Sequence, residues 1–114
     1  PLEHGQIENP HRVKVVLSQS GRALYFSRAP IPHGNIGKAP RWLHLGAYAF
    51  SKATLLALSG WRPTPLEKRE KLEQLRLLEH DVPIVVGPCR VRTHGVDTPE
   101  DARKLERMLT GRSV

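Results

Sequence analysis

Proline and glycine crowd one stretch of this chain: Pro30, Pro32, Gly34, Gly37 and Pro40 all fall between residues 27 and 42. No helix or strand runs through that density of fixed φ angles, missing N–H groups and glycine freedom. The 114 residues are therefore divided into a front and a back part joined by irregular chain. A loop this long inside a small domain is more often functional or mobile than idle. The length allows one domain at most, with a modest core.

In front of the break the pattern is β. Val13-Lys14-Val15-Val16-Leu17 and Ala23-Leu24-Tyr25-Phe26 are strand-forming runs, and Ser18-Gln19-Ser20-Gly21 between them makes a hairpin the expected arrangement. Behind the break, Trp42 to Phe50 reads as a third strand. There Leu43, Leu45, Ala47 and Ala49 alternate with His44, Gly46, Tyr48 and Phe50. The remainder is mainly helical. Ser51 caps a short helix through Leu55, Leu56 and Leu58, with Gly60 placed to stop it. Thr64-Pro65-Leu66-Glu67 is a capping box with proline at the first helical position. The helix it opens is expected to reach about His80 with Leu72, Leu75 and Leu78 on one stripe, and Glu67 and Lys71 paired on its wet face. Pro83 closes that region, and Ile84-Val85-Val86 reads as a short buried strand. The last helix is expected from Pro99 toward Leu109, burying Ala102, Leu105, Met108 and Leu109 and ending at Gly111. No internal repeat is visible.

A net charge of +7 and a pI near 10.2 raise the question of nucleic acid. The placement of charge argues against it. Lys and Arg are scattered from Arg12 to Arg112, and runs such as Glu67-Lys68-Arg69-Glu70-Lys71 are broken by acids. Aromatics at 5% are too few for a row of stacking platforms. The same balance suits small anionic substrates such as phosphates and sugar acids. Hydrophobic residues at 39% and charged residues at 25% are ordinary for a soluble globular protein. No apolar run is long enough to span a bilayer, and no signal peptide is expected ahead of the first polar residues. The single Cys89 excludes a disulfide framework and suits a reducing cytoplasm.

Few residues carry chemistry on their own. Thr98-Pro99-Glu100-Asp101 is a helix start, with a hydroxyl at N-cap, proline next and a carboxylate at the third helical position. Asp97 stands just before it, where α/β proteins often hold a magnesium-bound phosphate. A single aspartate is a weak metal signal, and on spacing alone capping or solvating the turn is the better reading. His44 and Tyr48, four apart on the expected strand, share a face with Gly46 between them. They suit hydrogen bonds to a polyhydroxylated ligand as well as they suit a solvated strand face, and Gly46 would leave room for such a ligand. Arg28 at the mouth of the loop suits a bidentate clamp on a carboxylate or phosphate, although a lone arginine at a strand end is more often surface. Glu73 and Gln74 read as the solvent side of a helix. The six histidines at 4, 11, 33, 44, 80 and 94 lack zinc-finger spacing. No Gly-x-Ser-x-Gly elbow and no glycine-rich phosphate loop with its lysine is present.

Taken together, several blocks of the chain resemble one family. These are Val13-Lys14-Val15-Val16-Leu17, Ala23 through Pro32, His44-Leu45-Gly46-Ala47-Tyr48-Ala49, Pro65-Leu66-Glu67, Leu72-Glu73-Gln74-Leu75-Arg76 and Gly95 through Asp101. In that order, from about Asn9 onward, they resemble the CMP-Kdo synthetases, the 3-deoxy-manno-octulosonate cytidylyltransferases. The resemblance implies an α/β nucleotidyltransferase, Rossmann-like, with a central, mostly parallel sheet, a β-hairpin and flanking helices. It implies transfer of CMP from CTP to the sugar acid Kdo, with pyrophosphate released, for lipopolysaccharide synthesis in the cytoplasm by a homodimer. Carried over by position, Asp97 would be a magnesium ligand, Arg28 would face the sugar-acid carboxylate, and His44, Tyr48, Glu73 and Gln74 its hydroxyls.

The family's CTP-binding loop and its upstream metal-binding aspartate have no counterpart here. Residues 1–114 are therefore expected to be the C-terminal, sugar-binding and dimerisation portion of one cytidylyltransferase domain, inactive alone. Ala47 and Phe50, and the stretch from Glu79 to Pro83 with Gly87 to His94 after it, depart from the family pattern and bear on the choice of sugar acid. A non-catalytic sugar-acid-binding or dimerisation module is the alternative, and a nucleic-acid binder the lesser one.

Overall fold

The computed structural model describes residues 7–34, 41–89, 95–96 and 98–111. Its β part starts from the expected hairpin. Strands β1 (Lys14–Leu17) and β2 (Ala23–Ser27) pair antiparallel, with Val15 opposite Phe26 and Val16 opposite Tyr25. The turn closes because the Ser18 N–H donates to the Arg22 carbonyl at 2.8 Å and its hydroxyl accepts from the Arg22 N–H at 3.0 Å. Gly21 supplies the positive φ of 79° that the turn needs. The register shifts between Val16 and Leu17.

The third strand is much shorter than expected. β3 comprises only Trp42–Leu43, pairing antiparallel with β1 through Lys14 and Val15, so the sheet order is β2-β1-β3. Chain 44–50 is irregular. The cause is Gly46, whose φ of 79° lies outside the β region. Alternating sequence was thus a misleading guide past Leu43. Among the described residues every strand pairing is antiparallel, so the parallel sheet expected from the family is not represented in them, while the mixed α/β class stands.

Helix α1 (Lys52–Gly60) starts as read, with the Ser51 hydroxyl accepting from the Thr54 N–H at 3.1 Å, but it includes Gly60 and is capped by Trp61. The expected long helix is broken in two. α2 (Pro65–Glu70) opens on the Thr64 box, with Thr64 N–H donating to Glu67 Oε2 at 3.0 Å. Lys71 then enters the left-handed region at φ 55°, and α3 (Leu75–Glu79) follows. A non-glycine residue there costs about 1–2 kcal/mol. The break is offset by what it lets the carboxylates do: Glu67 does not pair with Lys71 on a wet face but is buried against Arg76 in α3. It also lets Leu75 and Leu77, at 0% and 2% exposure, both be buried.

Val15, Ala23, Phe26, Leu72 and Leu75 form the core, with Val13, Leu17, Tyr25, Trp42, Leu78, Ile84 and Val86 packed around it. Each fully buried leucine or phenylalanine contributes about 2–3 kcal/mol. Ile84-Val85-Val86 is not a buried strand but an isolated antiparallel bridge between Val85 and Arg22. Ala23 N–H donates to Ile84 O at 2.8 Å and Val85 itself is exposed. Helix α4 (Pro99–Leu109) has the expected start, with Thr98 N–H donating to Asp101 Oδ2 at 3.0 Å and Asp101 N–H to the Thr98 hydroxyl at 3.2 Å. It buries none of its residues: Met108 and Leu109 are exposed, against expectation. Amphipathic spacing identifies a face but not what covers it.

Candidate functional site

The turn at Gly46 does what a straight strand could not. It folds residues 44–48 so that the Tyr48 hydroxyl and His44 Nε2 lie 2.6 Å apart, with ring centroids separated by 5.3 Å. On an extended strand, residues four apart are about 13 Å from one another along the chain, so this pairing requires the bend. A Cβ on Gly46 would meet His44 Cε1 at 3.9 Å, an ordinary contact. The glycine therefore serves its positive φ rather than space for a ligand.

Phe26, from the core, stands edge-on to His44 with centroids 5.2 Å apart, and Phe50 stacks on Tyr48 at 5.8 Å. These rings fix the pair from both sides. Burial pushes the His44 imidazolium down from its ordinary value, so the ring is neutral near pH 7. Burial, and next the negative charge of Glu73, push the Tyr48 phenol up to about 12. Both partners are thus uncharged near neutrality. Where Tyr48 donates to Nε2, the imidazole proton sits on Nδ1. The pair then offers one donor (Nδ1–H) and one acceptor (the phenol oxygen) to a hydroxyl-bearing ligand.

The Lys71 break carries the second pair. Glu73 is exposed and close enough for its charge to be felt at Tyr48. Gln74 is not on a solvent side: it is 8% exposed, and its Nε2 has no hydrogen-bond partner among the described residues. A buried amide donor left unmatched costs about 1–3 kcal/mol. It is kept more readily where a ligand oxygen completes it.

Arg28 is placed differently. Its Nε donates to Glu70 O at 2.9 Å, one terminal nitrogen to Pro10 O at 3.0 Å and the other to Lys71 O at 3.4 Å. None of these bonds reaches the His44–Tyr48 pair. In this structure the guanidinium closes backbone around the α2–α3 break. Asp97 lies outside the described residues. Among the described residues no group of three or more His, Cys, Asp or Glu is arranged to hold a metal. Nor does any candidate line the 370 Å³ depression bounded by Ile7, Glu8, His33 and Arg41.

Sequence reasoning missed three polar groups beneath this surface. Glu70 Oε1 accepts from the Ser27 hydroxyl at 2.6 Å and the Tyr25 hydroxyl at 3.3 Å, and Oε2 accepts from Arg28 N–H at 3.0 Å. Burial opposes its ionisation, but those donors outweigh it and hold Glu70 below the usual carboxylate range. Lys14, fully buried, donates from Nζ to Asn9 O at 3.0 Å and Arg28 O at 2.5 Å; burial pulls its ammonium down, against the pull of Glu8 and Glu70. Arg76 makes a bidentate pair with Glu67 at 2.5 and 2.8 Å. The acidic residues in a capping helix were the available signal. Their partners lie on other elements and have no signature in spacing.

Comparison with known proteins gives a consistent result. Residues 2–84 match the family model described as cytidylyltransferase. The chain is 46% identical over 114 residues to the 3-deoxy-manno-octulosonate cytidylyltransferase of Myxococcus xanthus (strain DK1622), covering 98% of this chain and 46% of that protein. It is 44% identical to the protein of the same name from Koribacter versatilis (strain Ellin345), covering 99% of this chain and 44% of that protein. For Nitratidesulfovibrio vulgaris (strain DP4) the figures are 50% identity, 95% and 45%. A solved structure of CMP:2-keto-3-deoxy-manno-octonic acid synthetase complexed with CTP superimposes with a TM-score of 0.84 at 33% identity, over 96% of this chain and 46% of that one. The chain spans about half the length of the curated relatives it matches.

Proposed function

The chain belongs to the cytidylyltransferase family, and from that premise we propose that it forms the sugar-acid side of an enzyme transferring CMP from CTP to Kdo. The products would be CMP-Kdo and pyrophosphate, and the pathway lipopolysaccharide synthesis in the cytoplasm. The names of the relatives and the CTP complex of the solved neighbour support the reaction. The observation in this chain that carries the sugar side is Gln74, a buried amide donor with no partner among the described residues. It sits one residue from Glu73, whose charge reaches the neutral His44–Tyr48 pair.

In this reading Gln74 Nε2–H, His44 Nδ1–H and the Tyr48 oxygen bind sugar hydroxyls, and the exposed Glu73 accepts from a further one. Arg28 would meet the sugar-acid carboxylate by exchanging one of its carbonyl partners for it. The anomeric hydroxyl held in this way attacks the α-phosphorus of CTP bound by the part of the enzyme that carries the triphosphate site. Magnesium, with Asp97 as the ligand this chain supplies, would neutralise charge at the phosphate. No helix of the described residues is long and apolar enough to cross a membrane. The exposed Leu55 and Leu56 of α1 are apolar surface that a homodimer would cover.

The test is a nitrogen-15 NMR titration of the chain with Kdo and magnesium. Shifts of the Gln74 side-chain amide and of the His44 ring resonances are the expected result. Their absence, together with no turnover of CTP and Kdo by the full-length protein, would refute the proposal. Pyrophosphate release by the 114-residue chain alone would refute its incompleteness. Sugar-acid binding without transfer in the full-length protein would favour a non-catalytic module.

A further inference from the structure

We propose that Glu70 is a positioning residue for the sugar-acid site, an inference that rests on the reading of that site given above. Glu70 is the last residue of α2, immediately before the left-handed Lys71 and the Glu73–Gln74 pair. Its carboxylate is directed at the end of β2, accepting from Ser27, Tyr25 and the main chain of Arg28. Its own carbonyl accepts from Arg28 Nε at 2.9 Å, and the Lys71 carbonyl accepts from the same guanidinium at 3.4 Å. Side chain and main chain of one residue thus bind side chain and main chain of another, 42 positions away. Lys14 Nζ fixes the remaining main-chain group, the Arg28 carbonyl.

The consequence lies three and four residues downstream. The turn from Lys71 to Gln74 leaves α2 with the Lys71 and Leu72 N–H groups both donating to Glu67 O, before Leu75 N–H reaches Leu72 O at 3.2 Å and Arg76 N–H reaches Glu73 O at 3.0 Å. Its direction is set where it leaves α2, and that exit is what Glu70 clamps to the sheet. Phe26, the ring that stands against His44, lies one residue before Ser27 on the same strand end. Glu70 therefore sets the distance between the two halves of the site without touching ligand.

The decisive variants are Glu70→Ala and Glu70→Gln in the full-length protein. The carboxamide of Glu70→Gln keeps an oxygen for Arg28 N–H and turns its NH2 to the Ser27 and Tyr25 oxygens, which can accept. Glu70→Ala is expected to raise KM for the sugar acid about tenfold, with kcat and KM for CTP within about twofold. Glu70→Gln should return KM to near the wild-type value. Amide exchange at Arg28, Leu75 and Arg76 should quicken in Glu70→Ala. A fall in kcat with both KM values unchanged would mean only that less protein is folded, and would overturn the proposal. Unchanged exchange at those amides would overturn it as well. No turnover or sugar-acid binding by the wild-type protein would instead overturn the sugar-acid reading and the kinetic half of this inference with it.

Discussion

Arg76→Ala tests the energetic centre of the helical half. Arg76 and Glu67 side chains are 12% and 11% exposed, and their two bonds of 2.8 and 2.5 Å form a bidentate pair. Removing the guanidinium leaves a buried carboxylate with only Thr64 as partner, through its N–H at 3.0 Å and its hydroxyl at 3.5 Å. It also strips a donor from the Trp61 carbonyl, which Arg76 reaches at 3.3 Å, and one at 3.4 Å from the Leu58 carbonyl, which keeps Trp61 N–H at 3.2 Å. Breaking a buried pair from one side costs about 3–5 kcal/mol, against a total stability of about 5–15 kcal/mol for a domain. Urea denaturation at pH 7, followed by tryptophan fluorescence, should register that loss, with Tm lower by roughly 15 °C or more. Glu67→Met with Arg76→Met should return to within about 2 kcal/mol of wild type, because no charge is left buried and only Thr64 N–H and the Trp61 carbonyl lose these partners.

The pH dependence follows from the same pair. The Arg76 hydrogen bonds are the main reason Glu67 is held below its ordinary value of 4.5, against the opposing effect of burial. A depressed carboxylate contributes stability that is complete above the unfolded value and lost as pH falls through the folded one. The gap between wild type and Arg76→Ala should therefore narrow on acidification below that value. A loss under 1 kcal/mol at pH 7, or a gap that stays constant into acid, would refute the reasoning.

Three further variants probe the site. Gln74→Met removes an unmatched donor, so stability should hold or rise by about 1–2 kcal/mol while sugar-acid affinity falls about tenfold; a loss of stability in a urea melt would show that Nε2 has a partner after all. Gly46→Ala places a side chain at φ 79° and should cost about 1–2 kcal/mol. By loosening the turn it should move the His44 titration back up toward 6.5, and an unmoved NMR titration curve would refute the role given to the bend. Tyr48→Phe should remove a phenol step at about 12 from the alkaline absorbance titration. Loss of a step near the ordinary value of 10.0 would contradict the environment described for it.

The sequence foretold local structure wherever one residue type decides the geometry. Gly21 closes the hairpin, Ser51 and Thr64 open helices, and Thr98-Pro99 with Asp101 builds the last capping box. It misled where two rules competed. Residues 42–50 alternate like a strand, yet a positive φ at Gly46 ends the β geometry. Residues 65–80 have helical periodicity, yet tertiary bonds to Glu67 and Glu70 are strong enough to hold Lys71 left-handed. The His44–Tyr48 pair was visible, but for the wrong reason: it is made by a bend and not by a shared strand face. Gln74 was read as solvent-facing because the break that buries it is not written in any local pattern. The long-range partners of Glu67, Glu70 and Arg28 lie 9 and 42 positions away, beyond the reach of spacing rules.

The six-residue helix α2 behaves as a gauge block between two other parts of the molecule. Glu67 near its start is read by Arg76, and Glu70 at its end is read by the strand end at Ser27 and Arg28. A residue inserted between the two carboxylates would turn the second by about 100° and displace it by about 1.5 Å. No side-chain adjustment on its own would satisfy both readers again. Substitutions at Lys68 and Arg69, both exposed, should be tolerated freely, whereas a change in their number should not. In this segment it is the count of residues, more than their identity, that the chain has to preserve.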